Sequence, residues 1–92
     1  MKYSNIKNII KDAKKGKMFI LVDDENRENE ADLIIPANKV NPSSINFMAK
    51  YGRGLICLTL SQKLADRLNL SLINSNTIDR SGTAFTISID AK

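Results

Sequence analysis

A mixed fold, α/β in composition and of the α+β kind, is predicted for these 92 residues. Three observations predict it. Apolar residues recur at helical spacing near residues 6–13 and 45–49. Apolar runs stand at 18–22 and 33–35, and a largely apolar stretch of strand length, broken only by Thr59, at 55–60. Near the end, Phe85, Ile87 and Ile89 alternate with Thr86, Ser88 and Asp90, the period of a half-buried strand. The resulting order, α-β-β-α-β-α-loop-β, interleaves the two kinds of element.

Each element has a local reason. Ser4 is placed to cap a first helix whose apolar face is Ile6, Ile9, Ile10 and Ala13. Gly16 is its natural stop, and the lysines of the last turn suit the helix dipole. Met18-Phe19-Ile20-Leu21-Val22 has no polar face, which predicts an inner strand covered on both sides. Leu33-Ile34-Ile35 is a second strand, ended by Pro36 and joined to the first by an acidic loop. Asn41-Pro42 is a helix start, Asn as cap and Pro in the first turn. Ile45, Met48 and Ala49 supply that helix's apolar face and Gly52 its end. Leu55-Ile56-Cys57-Leu58-Thr59-Leu60 reads as a third strand. Ser61 caps a short helix carrying Leu64, Ala65 and Leu68, and residues 71–82, rich in Ser, Asn and Thr, read as a surface loop. The final strand runs almost to Lys92 with neither turn chemistry nor a cover, so residues 1–92 are expected to be one part of a longer domain.

Composition narrows the chemistry. Hydrophobic residues at 42% and charged residues at 26% fit a soluble globular domain, and no apolar run approaches the roughly 20 residues of a membrane helix. With no apolar stretch behind Met1, the expected compartment is the cytoplasm. There is no histidine, which excludes Ser-His-Asp or Cys-His machinery carried wholly on these residues. Cys57 is the single cysteine, which excludes an internal disulfide and a cysteine-rich zinc site.

Charge is segregated. Asp23, Asp24, Glu25, Glu28, Glu30 and Asp32 fall within residues 23–32 with only Arg27 to offset them, a net −5. The other 82 residues hold 13 bases and four acids, a net +9. The bases are scattered and only five residues are aromatic, which argues against a nucleic-acid surface. A charge run is most often a solvated turn. Here it is wedged between two apolar strands, and an extended backbone would put residues 28, 30 and 32 on one face. Carboxylates gathered so need a cation or a proton, and a hard cation with oxygen ligands (Mg²⁺, Mn²⁺ or Ca²⁺) suits them. An EF-hand is excluded, because loop positions six and twelve hold Asn29 and Ile35, or Glu28 and Ile34, instead of Gly and Glu. Arg27 can neutralise its neighbours, or aim its fork at a phosphate or carboxylate. A cation, a metal-binding acid and a free acid side by side would suit a phosphorylated polyol.

The string Asp23–Ile34, DDENRENEADLI, resembles the D-D-E-x-R-E-N-E-G/A-D-L signature of the 3,4-dihydroxy-2-butanone 4-phosphate synthases of riboflavin biosynthesis. Residues 48–60, MAKYGRGLICLTL, resemble that family's helix-Gly-x-Gly-strand segment with its cysteine. Residues 82–91, GTAFTISIDA, resemble its G-T-A-F-T-V-S-V-D-A strand. The resemblance spans essentially the whole chain and corresponds to the N-terminal half of the family domain, a three-layer arrangement around a mixed β-sheet.

The resemblance implies a lyase that converts D-ribulose 5-phosphate to L-3,4-dihydroxy-2-butanone 4-phosphate and formate with Mg²⁺ or Mn²⁺ and no organic cofactor. By position it implies Glu28 as metal ligand and catalytic residue, Glu30 as acid/base participant, and Arg27, Glu28 and Asp32 as substrate contacts. Asp32 and Cys57 count with the catalytic set and Thr83 with the substrate contacts. Cys57 also reads as a small buried apolar residue, and Thr83 as an ordinary strand threonine. The family's second metal ligand, a histidine, lies in a motif beyond the matched stretch, so these residues alone are expected to be inactive. A homodimer with sites near the subunit interface is implied, and a GTP cyclohydrolase II domain follows in many relatives. No membrane or nucleic-acid partner is expected. The alternative is a non-catalytic, cation-binding or structural module of the same descent.

Overall fold

The structure, a computed structural model, describes residues 2–27, 29–73 and 84–90. They form two compact units, Met1–Leu58 and Thr59–Lys92. The α+β class stands: helices accompany one two-stranded antiparallel sheet. Three layers and a mixed sheet are not found within the described residues.

In the first unit, α1 spans Ile6–Lys14. Its cap is Asn5, one residue later than expected, whose Oδ1 accepts the Lys7 N–H at 2.8 Å. Asn5 has extended backbone (φ −66°, ψ 132°), the geometry a cap requires. Gly16 ends the helix as expected, at φ +83°. The Lys17 N–H reaches the Asp12 carbonyl at 3.0 Å and the Gly16 N–H the Ala13 carbonyl at 2.9 Å, the paired bonds of a Schellman end. The helix lies beside the first strand; Ile9 and Ala13 are half-buried, whereas Ile6 and Ile10 are exposed.

Strand β1 is Phe19–Val22 and pairs with β2, Ala31–Ile34, in the register Phe19↔Ile34, Ile20↔Leu33, Leu21↔Asp32, Val22↔Ala31. The second strand therefore starts two residues before the apolar run and takes in Asp32. β1 is not the doubly covered inner strand its composition suggested. Among the described residues β2 is its one neighbour, and Ile20 and Leu21 are 63% and 57% exposed. An apolar composition permits burial, but a second neighbour and a covering layer must exist to deliver it.

After a 3₁₀ turn at Ala37–Lys39, α2 covers Pro42–Phe47 and passes directly into a π turn at Met48–Gly52. Asn41 caps α2 in a reciprocal box: its Oδ1 accepts the Ser44 N–H at 2.8 Å, and Ser44 Oγ accepts the Asn41 N–H at 3.0 Å. The helical stretch ends at Gly52 as expected, and Arg53, at φ 59°, makes the left-handed exit. Gly52 lies close to β2: a Cβ there would stand 3.2 Å from Leu33 Cδ1, a tight contact. The end of the π turn thus rests on β2. Residues 55–60, expected to be a third strand, have no ladder partner among the described residues and are irregular, with Leu55 77% exposed.

In the second unit, Ser61 caps α3, Gln62–Arg67, by accepting the Leu64 N–H on Oγ at 3.1 Å, as expected. Asn69, at φ 55°, closes it with a second Schellman pair, Leu70 N–H to Ala65 O and Asn69 N–H to Asp66 O. Ala65 is the one residue buried among those described. The expected loop at 71–82 begins extended: Leu72 bridges Thr86, flanked by Ile73 N–H to Phe85 O and Ile87 N–H to Ser71 O. Residues 74–82 lie outside the described set. The expected strand at 85–89 is reduced to this single bridge, and its Phe85, Ile87 and Ile89 are exposed while Thr86 is half-buried.

Candidate functional site

The β1–β2 hairpin builds the candidate site. Its ladder continues one step past β1, where the Asp23 N–H donates to the Glu30 carbonyl at 2.9 Å. Residues directly opposite in an antiparallel pair share a face. The register therefore places Phe19, Leu21 and Asp23 with Glu30, Asp32 and Ile34 on one face, and Ile20 and Val22 with Ala31 and Leu33 on the other. Gly52 packs on the Leu33 side. Three of the six carboxylates thus gather on the face opposite the π turn, where Glu30 and Asp32 are exposed.

The loop is held by its own polar groups. Asp23 Oδ1 accepts the Asp24 N–H at 2.7 Å, and Asp24 Oδ1 accepts the Asn26 N–H at 2.7 Å, an Asx turn. The Asp24 carbonyl accepts from the N–H groups of both Arg27 and Asn29. Asn29 then reverses the chain at φ 52°, a conformation its short amide side chain tolerates. Asp23 and Glu30 oppose each other across the pair, and like charges so placed repel. Arg27 offsets this by donating from Nη1 to Asp23 Oδ2 at 2.8 Å. The Asp23 side chain is 20% exposed and that of Arg27 47%.

The sequence-predicted residues separate into groups. Arg27, Glu30 and Asp32 come together on the hairpin. Of the expected three-residue alternation, Glu30 and Asp32 share a face, with Asn29 before them at φ 52°. Glu28 and Thr83 lie outside the described residues. Cys57 is off the hairpin, in the irregular stretch after the π turn. It is exposed, which overturns its reading as a small buried residue in a strand. The residue missed by sequence reasoning is Asp23, which closes the ladder, caps the turn and holds Arg27. Its sequence signals are its place directly after an apolar strand and at the head of the acidic string.

Among the described residues, no three acidic or cysteine side chains stand close enough to hold a metal ion. The described donors therefore do not make a cation centre by themselves. A cavity of about 430 Å³ beside α1, lined by Tyr3, Asn5, Asn8 and Asp12 among others, includes none of the hairpin residues. Among the described residues no helix is long and apolar enough to cross a membrane.

Known proteins share this sequence and fold. The family described as 3,4-dihydroxy-2-butanone 4-phosphate synthase matches residues 7–92. The 3,4-dihydroxy-2-butanone 4-phosphate synthase of Photobacterium phosphoreum is 54% identical over 99% of this chain and 25% of its own length. The riboflavin biosynthesis protein RibBA of Aquifex aeolicus is 50% identical over 98% of this chain and 22% of its own. The crystal structure of RibBX, a two-domain 3,4-dihydroxy-2-butanone 4-phosphate synthase from A. baumannii, aligns with a TM-score of 0.80 at 49% identity, covering 94% of this chain and 25% of that one. The chain spans about a quarter of the length of these relatives. Matched from its first helix onward, it belongs to the 3,4-dihydroxy-2-butanone 4-phosphate synthase family.

Proposed function

We propose that this chain forms part of a lyase of riboflavin biosynthesis that converts D-ribulose 5-phosphate to L-3,4-dihydroxy-2-butanone 4-phosphate and formate. The observation that carries the reading is the hairpin. A charge-dense loop is held to a fixed shape by Asp23, Asp24 and Asn29, with Glu30, Asp32 and the Arg27–Asp23 pair on one face. Enolisation, loss of water and skeletal migration require proton transfers beside an enediolate, and carboxylates next to a guanidinium suit that sequence. In this reading Arg27 and Asp32 contact the sugar phosphate together with Thr83, Glu30 moves protons, and Cys57 belongs to the catalytic set.

A divalent ion, Mg²⁺ or Mn²⁺, belongs to the same reading, with Glu28 its ligand from this chain and its other donors supplied from beyond the described residues. So do a homodimer and a cytoplasmic setting. The test is a formate-release assay from ribulose 5-phosphate, with and without Mg²⁺, on the product of the longest reading frame that contains this chain. Mg²⁺-dependent formate is expected, and Glu28→Ala should abolish it while leaving the far-ultraviolet circular dichroism unchanged. A folded protein that releases no formate, or a Glu28→Ala variant that keeps its Mg²⁺-dependent rate, would overturn the reading. The 92-residue chain alone is expected to show no turnover.

A further inference from the structure

We propose that Asp23 is a positioning residue that sets the Arg27 guanidinium for the anionic oxygens of the substrate. This rests on Arg27 being a substrate contact, as in the proposed function. Three bonds converge on Asp23. Its N–H fixes its backbone to Glu30 at 2.9 Å, Oδ1 takes the Asp24 N–H at 2.7 Å, and Oδ2 takes Arg27 Nη1 at 2.8 Å. With backbone and Oδ1 both held, the carboxylate has few rotamers left, and Oδ2 is directed at Arg27. A guanidinium is planar and rigid, so holding one terminal nitrogen narrows the orientations open to the whole fork. Arg27 also stands in a turn whose own N–H is bound to Asp24 O at 3.0 Å, which anchors the near end of its side chain. An arginine tied at both ends meets a phosphate or carboxylate with little orientational freedom left to lose. The relative exposures fit this arrangement, with the acceptor more enclosed and the arginine turned more to solvent.

Asp23→Asn is the test. Asn retains an Oδ1 to accept the Asp24 N–H but removes the negative charge that holds Nη1. Steady-state kinetics with ribulose 5-phosphate, on the product of the longest reading frame, should show KM raised roughly tenfold, the scale of one lost charge-assisted hydrogen bond, with kcat changed less than about twofold. The denaturant midpoint should stay near that of the parent. In an Arg27→Ala background the same substitution should change KM by less than about twofold, because a residue that acts only through Arg27 has nothing left to act on. Asp23→Glu, which restores the charge on a longer arm, should recover part of the loss. An unchanged KM in Asp23→Asn, or effects that multiply independently with Arg27→Ala, would overturn the proposal. No recovery in a folded Asp23→Glu variant would also do so, leaving Asp23 as a turn-closing residue. If Arg27→Ala itself leaves KM unaltered, the substrate-contact reading of Arg27 fails first and takes the proposal with it.

Discussion

Replacing Gly16 by alanine separates backbone geometry from packing in the fold that carries the hairpin. Gly16 sits at φ +83°, and both bonds of the α1 Schellman end depend on that turn. An L-residue held in the left-handed region pays about 1–2 kcal/mol from Cβ crowding its own backbone. A Cβ at this position would meet Lys39 Cβ at 3.4 Å, an ordinary contact, so packing contributes little of the effect. Alanine also narrows the unfolded ensemble, which returns about 0.4–1 kcal/mol. The net expectation is a loss of about 1 kcal/mol. Gly16→Asn should cost less, because asparagine tolerates this conformation, as Asn29 and Asn69 do at φ 52° and 55°. Urea unfolding followed by circular dichroism reads both variants, with stability taken from the midpoint at constant slope. Should alanine prove neutral, or asparagine cost more than alanine, the left-handed geometry is not what reserves this place for glycine.

Asn41→Ala removes one half of the reciprocal cap on α2, and a loss of about 1 kcal/mol is expected, with faster hydrogen exchange at the Ser44 amide. The Lys17–Asp12 pair, at 3.9 Å with side chains 63% and 44% exposed, should matter far less: Lys17→Met is expected to shift stability by under about 0.5 kcal/mol, read from the unfolding midpoint. Cys57 is exposed, so a thiol reagent should label it stoichiometrically without denaturant, and protection that lifts only in denaturant would contradict its placement.

Helix ends were legible in the sequence because caps are local. Asn41-Pro42, Ser61 and Gly16 each act on backbone groups within a few residues, and the structure uses all three as read. The one-residue error at Ser4 has the same origin, since Ser4 and Asn5 are both capping types and only backbone dihedrals choose between them. The charge-dense loop and its signature were legible for the same reason, being contiguous.

Strands were less so. The stretches at 18–22 and 55–60 are both mainly apolar, yet among the described residues the first found an antiparallel neighbour and the second did not. A ladder is a relation between distant segments, and no single run encodes whether its partner is present. Register was equally hidden: alternation along one strand groups acids such as Glu30 and Asp32, but only cross-strand pairing puts Asp23 on their face. The sequence alone thus determined which charged residue types gather in the loop between the first two strands. Tertiary structure decided which of them share a side of the hairpin, because that depends on hydrogen-bond pairing across the chain and not on spacing along it.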